Sequence, residues 1–288
     1  MKVLVTGAGG MVGTFLADYC RGRGDEVIPL DRQALDITTD DGVRELLQRR
    51  LPETVINCAA WTDVDACEGD PQRAFEVNAR GPEVLAANCR LIGASFITIS
   101  TDYVFDGTRA GFYDQRDDPN PISIYGRAKL DGERRAQQAC ARTLVVRTGF
   151  IFGKGGRNFL STVIDRARRN EALTAIRDTY GTPTYAGDLA RRLRELAQLD
   201  LPGTYHVVNR GEAASYYQFA VAAMTASGCD PATVMPVSAD DLNRPAARPR
   251  NSGLRCLLSE AIGLDPLPTW QEALKEFTQE LDRERLAG

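Results

Sequence analysis

Thr6-Gly7-Ala8-Gly9-Gly10-Met11-Val12-Gly13 decides the fold, because it sits between the strand-like run Lys2–Val5 and a helical pattern from Val12 to Arg23. A glycine fingerprint carries weight only in that setting, where a strand feeds a tight turn that opens a helix. Gly7 permits the turn, Gly10 lets the backbone approach a pyrophosphate, and Gly13 lets the helix lie close on the sheet. The first helical N–H groups, from Met11 and Val12 onward, then face the anion. The alternative is a glycine-rich turn needed only for packing.

Outward from this turn, β-branched runs alternate with helical patterns, the signature of a parallel sheet with crossover helices. Strands are predicted at Glu26–Leu30, Thr54–Asn57, Ser95–Ser100 and Leu144–Arg147, with helices over Asp40–Arg50, Pro71–Ile92 and Ile124–Ala141. The stretch Asp106–Asn120, rich in Gly, Asp and Pro, reads as a binding loop or lid. After Gly149 the alternation loosens, with helices near Asn158–Arg169, Asp188–Leu199, Tyr216–Ser227 and Trp270–Arg285, and strands near Leu173–Ile176 and Tyr205–Val208. The expected fold is α/β, a Rossmann-type doubly wound parallel sheet with a smaller mixed α/β substrate-binding lobe. Residues 1–149 read as the dinucleotide-binding domain, rejoined by about 180–210, and 150–288 mainly as the second lobe.

The 288 residues, 43% apolar and 26% charged, exclude a disordered or collagen-like chain. Lys+Arg 35 against Asp+Glu 39 gives a net charge of −4. With no basic run, neither a nucleic acid nor an anionic membrane is an expected partner. No apolar run approaches the roughly 20 residues of a membrane span, and the start Met1-Lys2 leads straight into a strand, so a cytoplasmic location is expected. Seven cysteines without C-x-x-C spacing read as free thiols, mostly buried. The single histidine, His206, rules out a centre built on several imidazoles and reads as a packed structural residue; no metal is expected.

Chemistry enters at Tyr125-Gly-Arg-Ala-Lys129, which puts a phenol and an ammonium on one helix face. A neighbouring cation favours phenolate, so Lys129 is expected to lower the Tyr125 pKa and tune a general acid. Alone, this spacing also occurs by chance on solvated helices. Thr101, at the carboxyl end of the fourth predicted strand where open α/β sheets carry active groups, offers a hydroxyl for a carbonyl oxygen. Its bland reading is a β-former. Asp31 ends the second strand, where a carboxylate reaches ribose hydroxyls, and Arg32 matches a ribose 2′-phosphate. NADP(H) is therefore favoured, with NAD(H) left open.

The spacing Gly-x-x-Gly-x-x-Gly and the Thr101, Tyr125, Lys129 set resemble the extended short-chain dehydrogenase/reductases. More specifically, Thr101-Asp-Tyr-Val-Phe105, Tyr125-Gly-Arg-Ala-Lys-Leu-Asp-Gly-Glu133, Arg147-Thr148, Gly153-Lys-Gly-Gly-Arg-Asn-Phe159, Gly181-Thr-Pro-Thr184, Gly203-Thr-Tyr-His206, Arg248-Pro-Arg-Asn-Ser252 and Pro268-Thr-Trp270 resemble the dTDP-4-dehydrorhamnose reductase family. The likeness runs from residue 2 to about 275. It implies hydride transfer from NAD(P)H to C4 of a dTDP-linked 4-keto-6-deoxyhexose, giving dTDP-L-rhamnose, in a monomer or homodimer. It also implies Asp36 and Ile37 against the adenine, and Ala59, Ala60, Trp61 and Thr62 under the cofactor; Asn57 reads equally as a strand-end turn residue. Val64, Asp102 and Tyr103 would edge the sugar pocket. Asn158 and Arg248 are second-lobe candidates for the nucleotide-sugar, Arg248 as a cation for the diphosphate; a helix cap and a solvated arginine are their bland readings.

Three positions depart from the family pattern. Phe150 stands where a tryptophan is common, Thr179 replaces a glutamine, and Phe15 occupies the place of an acidic residue used in metal-dependent dimerisation. Phe150 keeps an aromatic wall but has no N–H donor. Other readings are a 4-ketoreductase or epimerase for another nucleotide-sugar, or a non-catalytic NADP-binding regulatory subunit resembling that of methionine adenosyltransferase.

Overall fold

Apolar residues of adjacent strands pair in parallel from the first strand outward: β1 (Lys2–Thr6) lies between β2 (Glu26–Leu30) and β3 (Thr54–Asn57). Beyond β3 come β4 (Ser95–Thr101) and β5 (Thr143–Thr148), and the late strand Gly203–His206 adds in parallel to β5. The order reverses at β1, which opens a crevice at the carboxyl ends of β1 and β3. The computed structural model describes residues 1–156, 158–169 and 171–287, so Arg157 of the quoted motif lies outside the described residues.

Alternation along β1 divides the core. Val3 and Val5 point to the face covered by α1 (Met11–Gly22) and by the helix Ala186–Leu199, where Leu16, Leu189 and Leu193 pack. Leu4 points to the face covered by α2 (Asp40–Arg50) and the helix Gly81–Ile92, with Val43, Leu47, Leu85 and Cys89. Every residue of β3 and β5 is buried, as expected for strands covered on both faces.

The predicted helical run Pro71–Ile92 contains a π-helical turn, Glu76–Arg80. That turn presents Asn78 to the loop after β3, where its amide bonds both the N–H and the C=O of Trp61 at 2.9 Å. A short helix, α3 (Val64–Gly69), not anticipated from the sequence, follows this loop and is capped by Asp63, which accepts from Ala66 N at 3.0 Å.

Phe152, Leu160, Phe219, Leu274 and Phe277 build a second core from the later helices. Around it run paired strands Ile151–Phe152 with Thr184–Tyr185, Leu173–Ile176 with Val234–Val237, and Tyr180–Gly181 with Ala214–Ser215. Only Leu173–Ile176 was anticipated. The segment Asp106–Asn120 is fastened rather than lid-like. Tyr113 is buried, stacks on Phe105 at 4.2 Å, accepts from the Gly107 and Arg109 N–H groups at 3.0 Å, and donates its own N–H to Gly253 at 2.8 Å. All seven cysteines are free thiols, and no described helix is long and apolar enough to cross a membrane.

Candidate active site

The turn after β1 is shaped by close backbone approach. Gly7 has φ +67°, and a Cβ there would stand 2.6 Å from Ala59 N. One at Gly13 would stand 2.2 Å from the Gly7 carbonyl oxygen, so any side chain here pushes α1 off the sheet. Beside the turn lies a cleft of about 910 Å³ lined by Gly7, Gly9, Gly10, Asp31, Arg32, Asp36, Ile37, Ala59, Ala60 and Trp61. The expected adenine and ribose residues thus share one cavity.

Within this cleft the Asp31 carboxylate accepts from Gln33 and Ala34 N–H at 2.9 Å, and that of Asp36 from Thr38 N–H at 3.0 Å. Both hold the loop after β2 in shape. Arg73, which the sequence reading omitted, also lines the cleft and lies over the Trp61 ring at 4.4 Å. Asn57 is a tie between strands: it accepts from Thr6 Oγ1 at 2.7 Å and donates to Thr98 Oγ1 at 3.2 Å.

Through Cys58 and Ala60, which line both cavities, the cleft meets a chamber of about 380 Å³. Thr101, Asp102, Tyr103, Tyr125 and Lys129 line one side, with Met11, Val12, Thr62 and Val64. Phe150, Asn158 and Tyr216 line the other. The helix Ile124–Ala139 begins at Ser123, whose hydroxyl accepts from Gly126 N at 3.1 Å, and this fixes Tyr125 in the first turn. Tyr103 packs edge-on against Tyr125 at 6.1 Å.

Lys129 donates from Nζ to the Ile99 carbonyl at 2.7 Å, and burial pulls its pKa down to about 8, with the Glu133 charge opposing the fall. The expected depression of Tyr125 by Lys129 does not occur. Burial raises the phenol pKa, the Thr101 hydroxyl draws it partly back, and the Asp102 charge adds to the rise. Desolvation penalises the phenolate more than these neighbours favour it.

Behind the chamber runs a buried polar layer. Arg147 on β5 donates to Glu133 at 2.7 Å and 3.0 Å, Ser100 also donates to Glu133, and the guanidinium lies 5.3 Å from the Phe105 ring centre. His206 follows, its Nδ1 facing the Arg255 and Tyr113 carbonyls at 2.9 Å and 3.2 Å.

Arg248 departs from its reading as a solvated side chain. It forms a two-armed bond to Asp65 on α3 at 2.7 Å and 2.9 Å, and the chamber lining does not include it. Asn158 is a helix cap that also lines the chamber, with its side chain accepting from Ser161 N at 3.0 Å and donating to Gly153 O at 2.9 Å. Phe150 holds φ +45° and stacks on Tyr216 at 4.2 Å. Sequence reasoning missed Tyr216. The Ser215/Gln218 capping box marks a helix start there, but no local signal brings that helix to Phe150.

The RmlD substrate binding domain model matches residues 1–283. A dTDP-4-dehydrorhamnose reductase of Mycolicibacterium smegmatis is 41% identical over 96% of this chain and 84% of its own. The crystal structure of a dTDP-4-dehydrorhamnose reductase from Clostridium acetobutylicum superposes with a TM-score of 0.94 at 39% identity, covering 98% of this chain and all of that one. Another from Bacillus anthracis, solved in complex with NADP, gives 0.93 at 35% identity, covering 97% and 100%. Because one match spans the phosphate turn, the chamber and most of the last helix, and the relatives align along nearly their whole length, the chain belongs to the RmlD substrate binding domain family.

Proposed function

We propose that this chain reduces the C4 ketone of dTDP-4-dehydro-L-rhamnose to dTDP-L-rhamnose with NADPH. The observation that carries the reading is the meeting of Thr101, Tyr125 and Lys129 in a chamber continuous with the glycine-turn cleft. Relatives named for this reaction, one of them holding NADP, support both substrate and cofactor. The cleft suits a dinucleotide because its turn leaves no room for side chains where a pyrophosphate must approach the backbone. Gly7, Gly10, Met11, Val12 and Gly13 would hold the pyrophosphate end, Asp31 and Arg32 the adenosine ribose, Asp36 and Ile37 the adenine, and Ala59 to Thr62 the floor. When bound, the nicotinamide supplies the hydride.

The chain's own residues then do the following. Tyr125, kept protonated by burial, gives its phenolic proton to the alkoxide as it forms. Lys129, still a cation near neutral pH, holds the nicotinamide ribose. Thr101 fixes the carbonyl oxygen. Val64, Asp102, Tyr103, Phe150 and Asn158 bound the sugar, while Arg248 braces the rim through Asp65. We assign residues 1–149, with the strand near 203–206, to cofactor binding and most of 150–288 to the nucleotide-sugar. The free thiols suit a reducing, cytoplasmic compartment.

The test is loss of NADPH absorbance on adding a dTDP-4-keto-6-deoxy sugar, with the product identified. Stoichiometric NADPH oxidation is expected. A protein that retains tightly bound NAD and interconverts C4 epimers without net oxidation would sink the reading.

A further inference from the structure

Thr101 carries one hydroxyl proton. Its Oγ1 donates to Asp102 Oδ1 at 3.1 Å and accepts from Tyr103 N at 3.1 Å. A ketone oxygen can only accept, and so can a carboxylate, so the two compete for the same proton. Asp102 is 3% exposed, and its second oxygen accepts from Ser252 Oγ at 2.5 Å. No cation bonds it among the described residues.

A buried carboxyl without a cation favours its neutral form. Burial lifts Asp102 to about 6, against the pull of the Ser252 and Thr101 hydroxyls. Three phenols feel its charge, Tyr103 from its own turn, Tyr125 from the helix Ile124–Ala139 and Tyr216 from the helix Tyr216–Ala226, and the Arg248 guanidinium, paired with Asp65, acts on Tyr103 and Tyr216. Burial raises all three, so each is uncharged near neutral pH. Ser252 and Gly149 add no charge.

We propose that Asp102 is a positioning residue that sets the direction of the Thr101 hydroxyl. Ionised, it keeps the Thr101 proton. Protonated, it donates to a Thr101 lone pair and turns that proton toward the ketone oxygen. The proton given to the alkoxide still comes from Tyr125, so this turn consumes none. The inference rests on the ketone-reductase reading and adds to it a residue that acts through Thr101.

The experiment is the pH profile of kcat/KM for the keto-sugar in wild type, Asp102→Asn and Ser252→Ala, with NADPH affinity by fluorescence and a thermal melt beside it. In wild type kcat/KM is expected to fall about tenfold per pH unit above the Asp102 titration. An amide N–H donates to Thr101 at every pH, so Asp102→Asn is expected to lose that limb while NADPH affinity holds. Ser252→Ala removes an acidifying bond and is expected to move the limb to higher pH. In a Thr101→Val background the Asp102→Asn change is expected to have no further effect on the profile.

A folded Asp102→Asn protein that keeps the wild-type limb overturns the inference and leaves the reductase reading standing. If that variant does not fold, an unmoved limb in Ser252→Ala overturns it instead. A wild type that oxidises no NADPH with any keto-sugar overturns both.

Discussion

The cleft beside Gly7 and the chamber around Tyr125 do different work with different parts of the chain. The cleft is a backbone device: glycines, helix-start N–H groups and two loop carboxylates, contributed by β1, α1 and the loops after β2 and β3. The chamber is a side-chain device whose polar groups are buried and supported by further buried groups: Lys129 is 4% exposed, Glu133 3% and Arg147 7%. An anion can be bound by amides at the surface because the amides are fixed by the turn itself. Proton transfer needs phenol, hydroxyl and ammonium held where water does not compete, which requires a second layer to position them.

That contrast is broken most strongly by Tyr125→Phe. The variant is expected to lose 10²–10⁴ in kcat, the usual share of a general acid, with NADPH affinity unchanged in a fluorescence titration. A variant with full turnover would remove Tyr125 from the chemistry.

Next in size is the layer behind it. Glu133→Ala strands the Arg147 guanidinium in a buried site, and breaking such a pair costs about 3–5 kcal/mol, to be read from urea unfolding. An equal cost at a cleft carboxylate such as Asp36 would erase the distinction between the two regions.

His206 gives a smaller effect tied to pH. Burial first, then the Arg147 charge, lower its pKa to about 4, so the folded state holds it neutral while the unfolded chain binds a proton near its ordinary value of 6.5. Its stabilisation is therefore complete above about 6.5 and lost as pH falls toward about 4, at about 1.4 kcal/mol per pH unit. Denaturation of wild type and His206→Gln between those limits checks the slope, which the variant is expected to flatten.

The smallest effect belongs to the cleft. Arg32→Ala is expected to weaken NADPH about tenfold, roughly 1.4 kcal/mol, and leave NADH unchanged, because only the former carries a 2′-phosphate. Equal weakening of both would place Arg32 away from that group.

The cleft was largely legible in the sequence for the same reason that it is a backbone device. A strand, a turn and a helix follow one another, so Gly7 to Gly13 and Asp31 declare themselves within a few dozen residues. Tyr125 and Lys129 were legible as a pair on one helix face, and Thr101 as a strand end. Their electrostatics were not: proximity to a cation was expected to lower the phenol, and burial raised it. The pairing of Arg248 with Asp65 was not legible because Asp65 lies far away in sequence. Apart from Leu173–Ile176, the short strands of the second lobe, two to four residues each, have no period long enough to register.

The order of residues by itself determined the parallel sheet, the glycine turn and the candidate site side chains, since each depends on local spacing and on alternation between buried and exposed positions. Only the tertiary structure decided which groups lose water and which partners they then meet. It set Glu133 against Arg147, Arg248 against Asp65, Tyr216 against Phe150 and Asp102 against Ser252. The physical reason is that desolvation and ion pairing depend on distance through space, and the chain's linear order does not contain that distance.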